Sequence, residues 1–205
     1  EPCASVTFNG KEYRTSLTMK LQAERFTQTA RALVNEGCAV HVHGTGLLPD
    51  MWNTPTEDLS EREKYQRMWD INAYRNLSPG EECVDAFLEA AKPSGKVIDF
   101  GCGTGRASVK MQKAGLEPIM LDFATNCRDE AALGLPFFEF DLTCQPVPLR
   151  APYGFCADMM EHIAPEHIAV VVGNIMTACG TVFFQISTVP DMAGAAINQT
   201  LHLTV

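Results

Sequence analysis

The run Val97-Ile98-Asp99-Phe100-Gly101-Cys102-Gly103-Thr104-Gly105 sets the strongest limit on how this chain can fold. An apolar strand leads straight into three glycines at alternate positions. Gly101 and Gly103 allow the backbone to turn tightly and to approach a ligand with no Cβ in the way. A helix following the loop points its free N–H groups back at it. Strand, glycine loop and helix together form the opening unit of an α/β domain.

The rest of the second half fits that reading. Strand-like runs at 96–100, 117–121, 137–140, 153–157 and 181–186 alternate with helical stretches near 105–114 and 164–178, a shorter helical turn near 125–132 and a proline-rich loop at 145–152. Five strands joined by crossovers predict an α/β fold with a doubly wound, mostly parallel, Rossmann-like sheet. Upstream, Ser78-Pro79-Gly80-Glu81 has the form of a capping box with proline in the first turn, opening a helix that runs to about Ala91. Val84, Phe87 and Leu88 mark its apolar side, and Pro93-Ser94-Gly95 ends it.

The first 60 residues read differently, as a small α+β segment. Asn9-Gly10 between 5–8 and 11–15 predicts a hairpin. Residues 16–36 have helical spacing, 38–43 read as a strand, and 50–62 as a polar linker or loop. His41 and His43 share one face of that strand, which suits either a metal site or an ordinary polar face. The expected division is therefore 1–60, with no assigned function, and 61–205. The chain opens on Glu1-Pro2 and stops at Leu201-His202-Leu203-Thr204-Val205, which reads like the start of another element. It is expected to be part of a longer polypeptide, with C-terminal strands missing.

Composition narrows the partners. The 205 residues carry a formal net charge of −9. Phosphate neutralisation dominates nucleic-acid affinity, so this balance disfavours a nucleic-acid substrate. None of the eight cysteines has a partner two or three residues away, so no zinc-ribbon or redox pair is formed by spacing. Cys102 and Cys156 read as small buried hydrophobes in a reducing, cytoplasmic setting. No signal peptide and no apolar run long enough to cross a bilayer is recognised, so no membrane partner is expected.

The dinucleotide fingerprint G-x-G-x-x-G needs its third glycine at position 106, which is Arg106 here. The third glycine is Gly105, and that shift disfavours a nicotinamide oxidoreductase. Residues 96–188 instead resemble class I, Rossmann-like S-adenosylmethionine-dependent methyltransferases. The resemblance implies that Asp99 to Gly105, including Gly101, Cys102 and Gly103, wrap the methionine part of S-adenosylmethionine. It implies that Asp122, with Phe123 beside it, binds the ribose hydroxyls. Asp141, with Leu142, is expected near the adenine amino group, and Ala157 completes the cofactor site.

After the fourth strand comes Asp158-Met159-Met160-Glu161-His162. Ligands of doubly wound sheets bind beyond the carboxyl ends of the strands, so these residues are the expected catalytic set. If helical, Asp158, Glu161 and His162 share one face. The segment resembles the acid-x-x-Glu-His motif of ubiquinone-pathway O-methyltransferases and small-RNA 2′-O-methyltransferases, with Asp158 in place of the more usual Glu. That resemblance implies a site for Mg, Mn or Zn completed by His202. The alternative is metal-free, with Glu161 and His162 contacting substrate or capping the next helix. His162 is the candidate general base, and His167 reads as a solvent-exposed helix residue. Tyr65, Trp69 and Tyr74 either cover the substrate pocket or pack against the sheet. A small-molecule or glycan acceptor is expected. An RNA 2′-O-methyltransferase and a non-catalytic cofactor-binding or interaction module are the competing readings, and the oligomeric state is left open.

Overall fold

The computed structural model describes residues 59–77, 79–188, 193 and 199–203, and the backbone alone of 4–8 and 11–15. The predicted helix at 16–36, the strand at 38–43 with His41 and His43, and most of the 50–62 loop lie outside the described residues. Strands β1 (Ala4–Phe8) and β2 (Lys11–Thr15) pair antiparallel. Phe8 faces Lys11 in their register, which leaves the two residues Asn9-Gly10 to connect them.

Helix α1 (Glu61–Trp69) begins two residues inside the stretch expected to be loop. The cause is a capping box at Ser60. Its hydroxyl accepts from the Glu63 N–H, and the Glu63 carboxylate accepts from the Ser60 N–H at 3.0 Å. Short helix α2 (Asn72–Arg75) follows. Helix α3 (Gly80–Ala91) starts behind Pro79; Ser78, on which the expected capping box at Ser78–Glu81 depends, lies outside the described residues.

The core is a five-stranded parallel sheet. Its strands are β3 (Lys96–Phe100), β4 (Glu117–Asp122), β5 (Phe137–Glu139), β6 (Ala151–Ala157) and β7 (Cys179–Gln185), in spatial order β5-β4-β3-β6-β7. Helices α4 (Arg106–Lys113) and α5 (Ile168–Ala178) complete the crossovers. The stretch expected as one helix over 164–178 is divided, with a 3-10 turn at Pro165–His167 preceding α5.

Central strand β3 shows why the sheet is covered on both faces. Side chains alternate along a strand. Ile98 and Phe100 pack with Val171 and Ile175 of α5, whereas Val97 packs with Val84 and Phe87 of α3 and Met111 of α4. Asp99 falls on the same face as Val97 and meets Ser108 of α4. A third apolar cluster joins Tyr65 and Met68 of α1 to Cys102, Met120 and Cys127. Helix α1 is thereby seated over the carboxyl end of the sheet. Lys64, 2% exposed, ties it further, donating to Thr200 O at 2.9 Å and pairing with Glu61 at 2.6 Å.

The chain steps outward from β3 to β4 and β5, then returns to β6 on the other side of β3. Connections leaving β3 and β6 therefore diverge, and a crevice opens between them at the strand ends. Among the described residues, no helix is long and apolar enough to cross a membrane.

Candidate active site

A cavity of about 250 Å³ occupies that crevice. Of the residues expected to hold a cofactor or do chemistry, Asp99, Gly101, Cys102, Gly103, Asp122, Phe123, Asp141, Leu142, Ala157, Asp158 and His162 all line it.

The glycine loop is fixed by its own backbone and by Asp122. The N–H groups of Gly101 and Cys102 donate to Leu121 O at 2.9 and 3.0 Å, and Gly103 N–H donates to Asp122 Oδ2 at 3.0 Å. The second oxygen of Asp122 accepts from Ala124 N–H at 2.9 Å. Each carboxylate oxygen keeps a lone pair for a further donor, so Asp122 can still receive vicinal hydroxyls. Gly103 has φ +49°, and a Cβ there would meet the Trp69 ring at 2.9 Å. Gly105 does not line the cavity. It precedes α4 at φ +74°, and a Cβ would meet Ala132 and Met120 at 2.6 and 2.9 Å. Its role is close packing of helix on sheet.

Burial dominates the acids here. It pushes Asp99 up to about 7, partly offset by the Ser108 hydroxyl, which donates at 2.7 Å, and reinforced by the neighbouring Asp122. Asp122 is also raised by burial, while the N–H groups of Ala124, Gly103 and Phe123 and the Arg62 guanidinium pull it down. At Asp141 burial also raises, but the Thr143 hydroxyl and N–H, Cys144 and Arg62 together prevail, and the carboxyl lies below its ordinary value. Arg62 gave no signal in the sequence. It bonds to Phe123 O at 2.8 Å and pairs with Glu139, placing a cation on the rim between the two acids.

The segment after β6 departs from the helical expectation. Asp158 is left-handed, with φ +55°, a conformation that Asp tolerates better than most residues. A 3-10 turn, Met160–His162, then follows. Asp158, Glu161 and His162 consequently do not share one helical face. Glu161 is wholly buried outside the cavity, and its carboxylate accepts from Ser187 N–H. Its backbone carbonyl accepts from Leu203 N–H at 2.7 Å. His162 does face the cavity. Its Nδ1 lies 2.6 Å from the Tyr65 hydroxyl and 3.1 Å from Leu201 O. His202 packs edge-on against the His162 ring, 4.8 Å between centroids.

Metal binding by Asp158, Glu161, His162 and His202 does not fit this arrangement. Their ligand atoms do not form a convergent set of three or more among the described residues, and the Glu161 carboxylate is turned to Ser187. Tyr65, Trp69 and Tyr74 do both things open to them. All three line the cavity, and all three belong to the apolar cluster beneath α1. His167 is exposed, as expected, and stands at the cavity edge. Met159, Phe140 and Thr143 also line the cavity. Their proximity comes from tertiary folding and had no periodic or motif signal.

Sheet order, glycine loop and the acid ending β4 make a doubly wound, Rossmann-like arrangement with its crevice at the carboxyl ends of the strands. No protein-family profile matches the chain. It is similar to the curated ubiquinone biosynthesis O-methyltransferase of Burkholderia pseudomallei (strain 1710b), 28% identical over 133 residues covering 58% of this chain and 56% of that protein. The protein of the same name from Burkholderia thailandensis is also 28% identical over 133 residues, with the same coverage. The chain thus spans a little over half the length of the curated relatives it matches. Among solved structures, a DhpI-SAM-HEP complex aligns with TM-score 0.48 and 19% identity over 60% of this chain and 63% of that one. The magnesium protoporphyrin IX methyltransferase ChlM of Synechocystis PCC 6803 with bound SAM aligns with TM-score 0.44 and 20% identity over 57% and 65%.

Proposed function

We propose that this chain is the catalytic part of an S-adenosylmethionine-dependent O-methyltransferase acting on a hydroxyl of a small-molecule or glycan acceptor. The carrying observation is the junction of Gly103 with Asp122 in the same cavity as His162. The residues present fit the cofactor. Gly101, Cys102 and Gly103 of the loop line the cavity, where the methionine portion would lie against them. Asp122 keeps lone pairs for the ribose hydroxyls, and Asp141 offers an acceptor for the adenine amino group. Bound there, S-adenosylmethionine supplies an electrophilic methyl group.

The protein's own task is to position the acceptor and manage its proton. His162 is the base in this reading. It lines the cavity, and Tyr65 Oη and Leu201 O stand against its Nδ1 and fix the setting of the imidazole ring, whose pKa range suits it to take up the acceptor's proton. The rings of Tyr65, Trp69, Tyr74 and Phe140 favour an acceptor with apolar or aromatic surface. The name of the curated relatives supports oxygen as the methylated atom. The net charge of −9 favours a small acceptor over nucleic acid. No step is routed through a metal ion.

Calorimetry with S-adenosylmethionine and S-adenosylhomocysteine tests the cofactor. Labelled-methyl transfer to a panel of hydroxylated aromatics and glycans then tests catalysis, in the presence and absence of a chelator. Binding of both ligands, with turnover that survives chelation and is lost in His162→Ala, is expected. Absence of cofactor binding sinks the reading, and binding without turnover on any acceptor favours a non-catalytic module.

A further inference from the structure

A buried cluster at the cavity wall joins Cys102 and Asp122, both part of the proposed cofactor site, to Cys127, which has no part in the methyl-transfer reading. Cys102 in the glycine loop, Asp122 at the end of β4 and Cys127 five residues later present two Sγ atoms and a carboxylate oxygen, all within 4.8 Å of one another. All three residues are buried, and the Cys102 thiol is directed to the Gly103 carbonyl at 3.7 Å. No other His, Cys, Asp or Glu set among the described residues converges this way.

The cluster is held from outside. The Arg75 guanidinium donates to the carbonyls of Trp69, Asn126, Cys127 and Arg128, at 2.8 to 3.0 Å, and to Asp129. That fixes the backbone carrying Cys127. Cys102 is fixed through its N–H bond to Leu121 O. A ligand set locked by surrounding bonds is the arrangement a metal site requires.

The donor chemistry is selective. Zinc takes thiolate sulfur at about 2.3 Å and carboxylate oxygen at about 2.0–2.2 Å in tetrahedral geometry, which sets ligand atoms about 3.5–3.8 Å apart, so the trio closes by up to about 1 Å around an ion. Two sulfurs and one oxygen suit zinc and its thiophilic relatives, whereas magnesium and calcium want oxygen throughout.

We propose that Cys102, Asp122 and Cys127 form a site for zinc or another thiophilic divalent cation, and that its occupancy excludes S-adenosylmethionine. The exclusion rests on the proposed role of Asp122 with the ribose hydroxyls; the site itself does not. On binding, two S–H bonds break and their protons pass to solvent, two metal–sulfur bonds and one metal–oxygen bond form, and no electron is transferred. An ion there consumes one of the two lone pairs that Asp122 otherwise offers to vicinal hydroxyls, and draws Cys102 toward Cys127 together with its loop. Metal and cofactor then antagonise each other reciprocally.

The test titrates the reduced chain with cobalt or cadmium and follows thiolate-to-metal absorption. One equivalent with that absorption is expected in the wild type, and Cys127→Ser is expected to lose it while melting as a folded protein. An undiminished band in Cys127→Ser overturns the site. If that variant does not fold, anomalous scattering from cadmium-soaked wild-type crystals decides: a peak between the three residues supports the site, and peaks only elsewhere overturn it. Calorimetry with S-adenosylmethionine is then repeated with zinc bound. A loss of affinity of about tenfold or more, absent in Cys127→Ser, is expected; unchanged affinity overturns the exclusion. Failure of the metal-free chain to bind S-adenosylmethionine refutes the methyltransferase reading, while the absorption band still decides the metal site by itself.

Discussion

The Tyr65 hydroxyl lies 2.6 Å from Nδ1 of His162, joining the first helix over the sheet to the turn after β6. Leu201 O lies 3.1 Å from the same nitrogen and 3.5 Å from the hydroxyl. The base-competent assignment has Nδ1–H donating to Tyr65 Oη and Leu201 O, with the tyrosine O–H directed to Leu201 O. Tyr65→Phe removes an acceptor that favours both this tautomer and the imidazolium formed in catalysis. A fall in kcat of about tenfold is expected, the scale of one hydrogen bond. The acidic limb of the pH–rate profile moves to lower pH, and affinity for S-adenosylmethionine stays nearly constant. A changed melting temperature with an unmoved limb indicates that Tyr65 only packs.

Gly103 and Gly95 separate contact from backbone strain. Both have positive φ, +49° and +70°, but a Cβ on Gly95 meets nothing within 4 Å, whereas one on Gly103 meets the Trp69 ring at 2.9 Å. Gly95→Ala is expected to cost about 1–2 kcal/mol in urea unfolding and to leave cofactor binding intact. Gly103→Ala adds displacement of Trp69 and of the loop beside Asp122, and calorimetry should show strongly weakened S-adenosylmethionine binding. Equal binding by the two variants refutes the proposed close approach of the cofactor to the loop.

The contrast between these positions shows what the sequence could reveal. The parallel sheet and glycine loop were legible because strand periodicity, glycine spacing and crossover length are local properties. Asp122 was legible because it ends a strand next to that loop. The segment from Asp158 to His162 was misleading because its spacing signals one helical face only if the backbone is α-helical. A left-handed Asp158 and a 3-10 turn send Glu161 into the interior instead. Arg62, Leu201 and Ser187 were invisible for another reason. Each reaches the site through a long-range backbone or side-chain bond that depends on how distant segments dock.

Glu161 is a direct test of that difference. In the folded chain its carboxylate secures the segment that leads out of β7, through Ser187 N–H, and is not part of the cavity. Glu161→Gln retains an acceptor oxygen of the same reach. Its turnover is expected to stay close to wild type. Glu161→Ala leaves the part-buried Ser187 N–H without that acceptor and should lose about 1–3 kcal/mol in chemical unfolding. A metal-ligand role predicts the reverse pattern, with Glu161→Gln folded and inactive.

Asp99 gives the fold a pH dependence whose sign follows from its burial. Its carboxyl is pushed up to about 7 from an ordinary value of 3.8, with burial as the largest cause. Between those values the folded chain holds a proton that the unfolded chain has released. Stability contributed by this group is therefore fully present below about pH 4 and lost as pH rises through 7. Each pH unit across that window removes about 1.4 kcal/mol, for a total of about 4 kcal/mol at most. Asp99→Asn keeps an oxygen for the Ser108 hydroxyl, which bonds Asp99 at 2.7 Å, and removes the titration. Urea unfolding at pH 5 and pH 8 should show the wild type weakening markedly between them and Asp99→Asn weakening much less. Parallel losses of stability in wild type and Asp99→Asn would place the pH dependence in other groups.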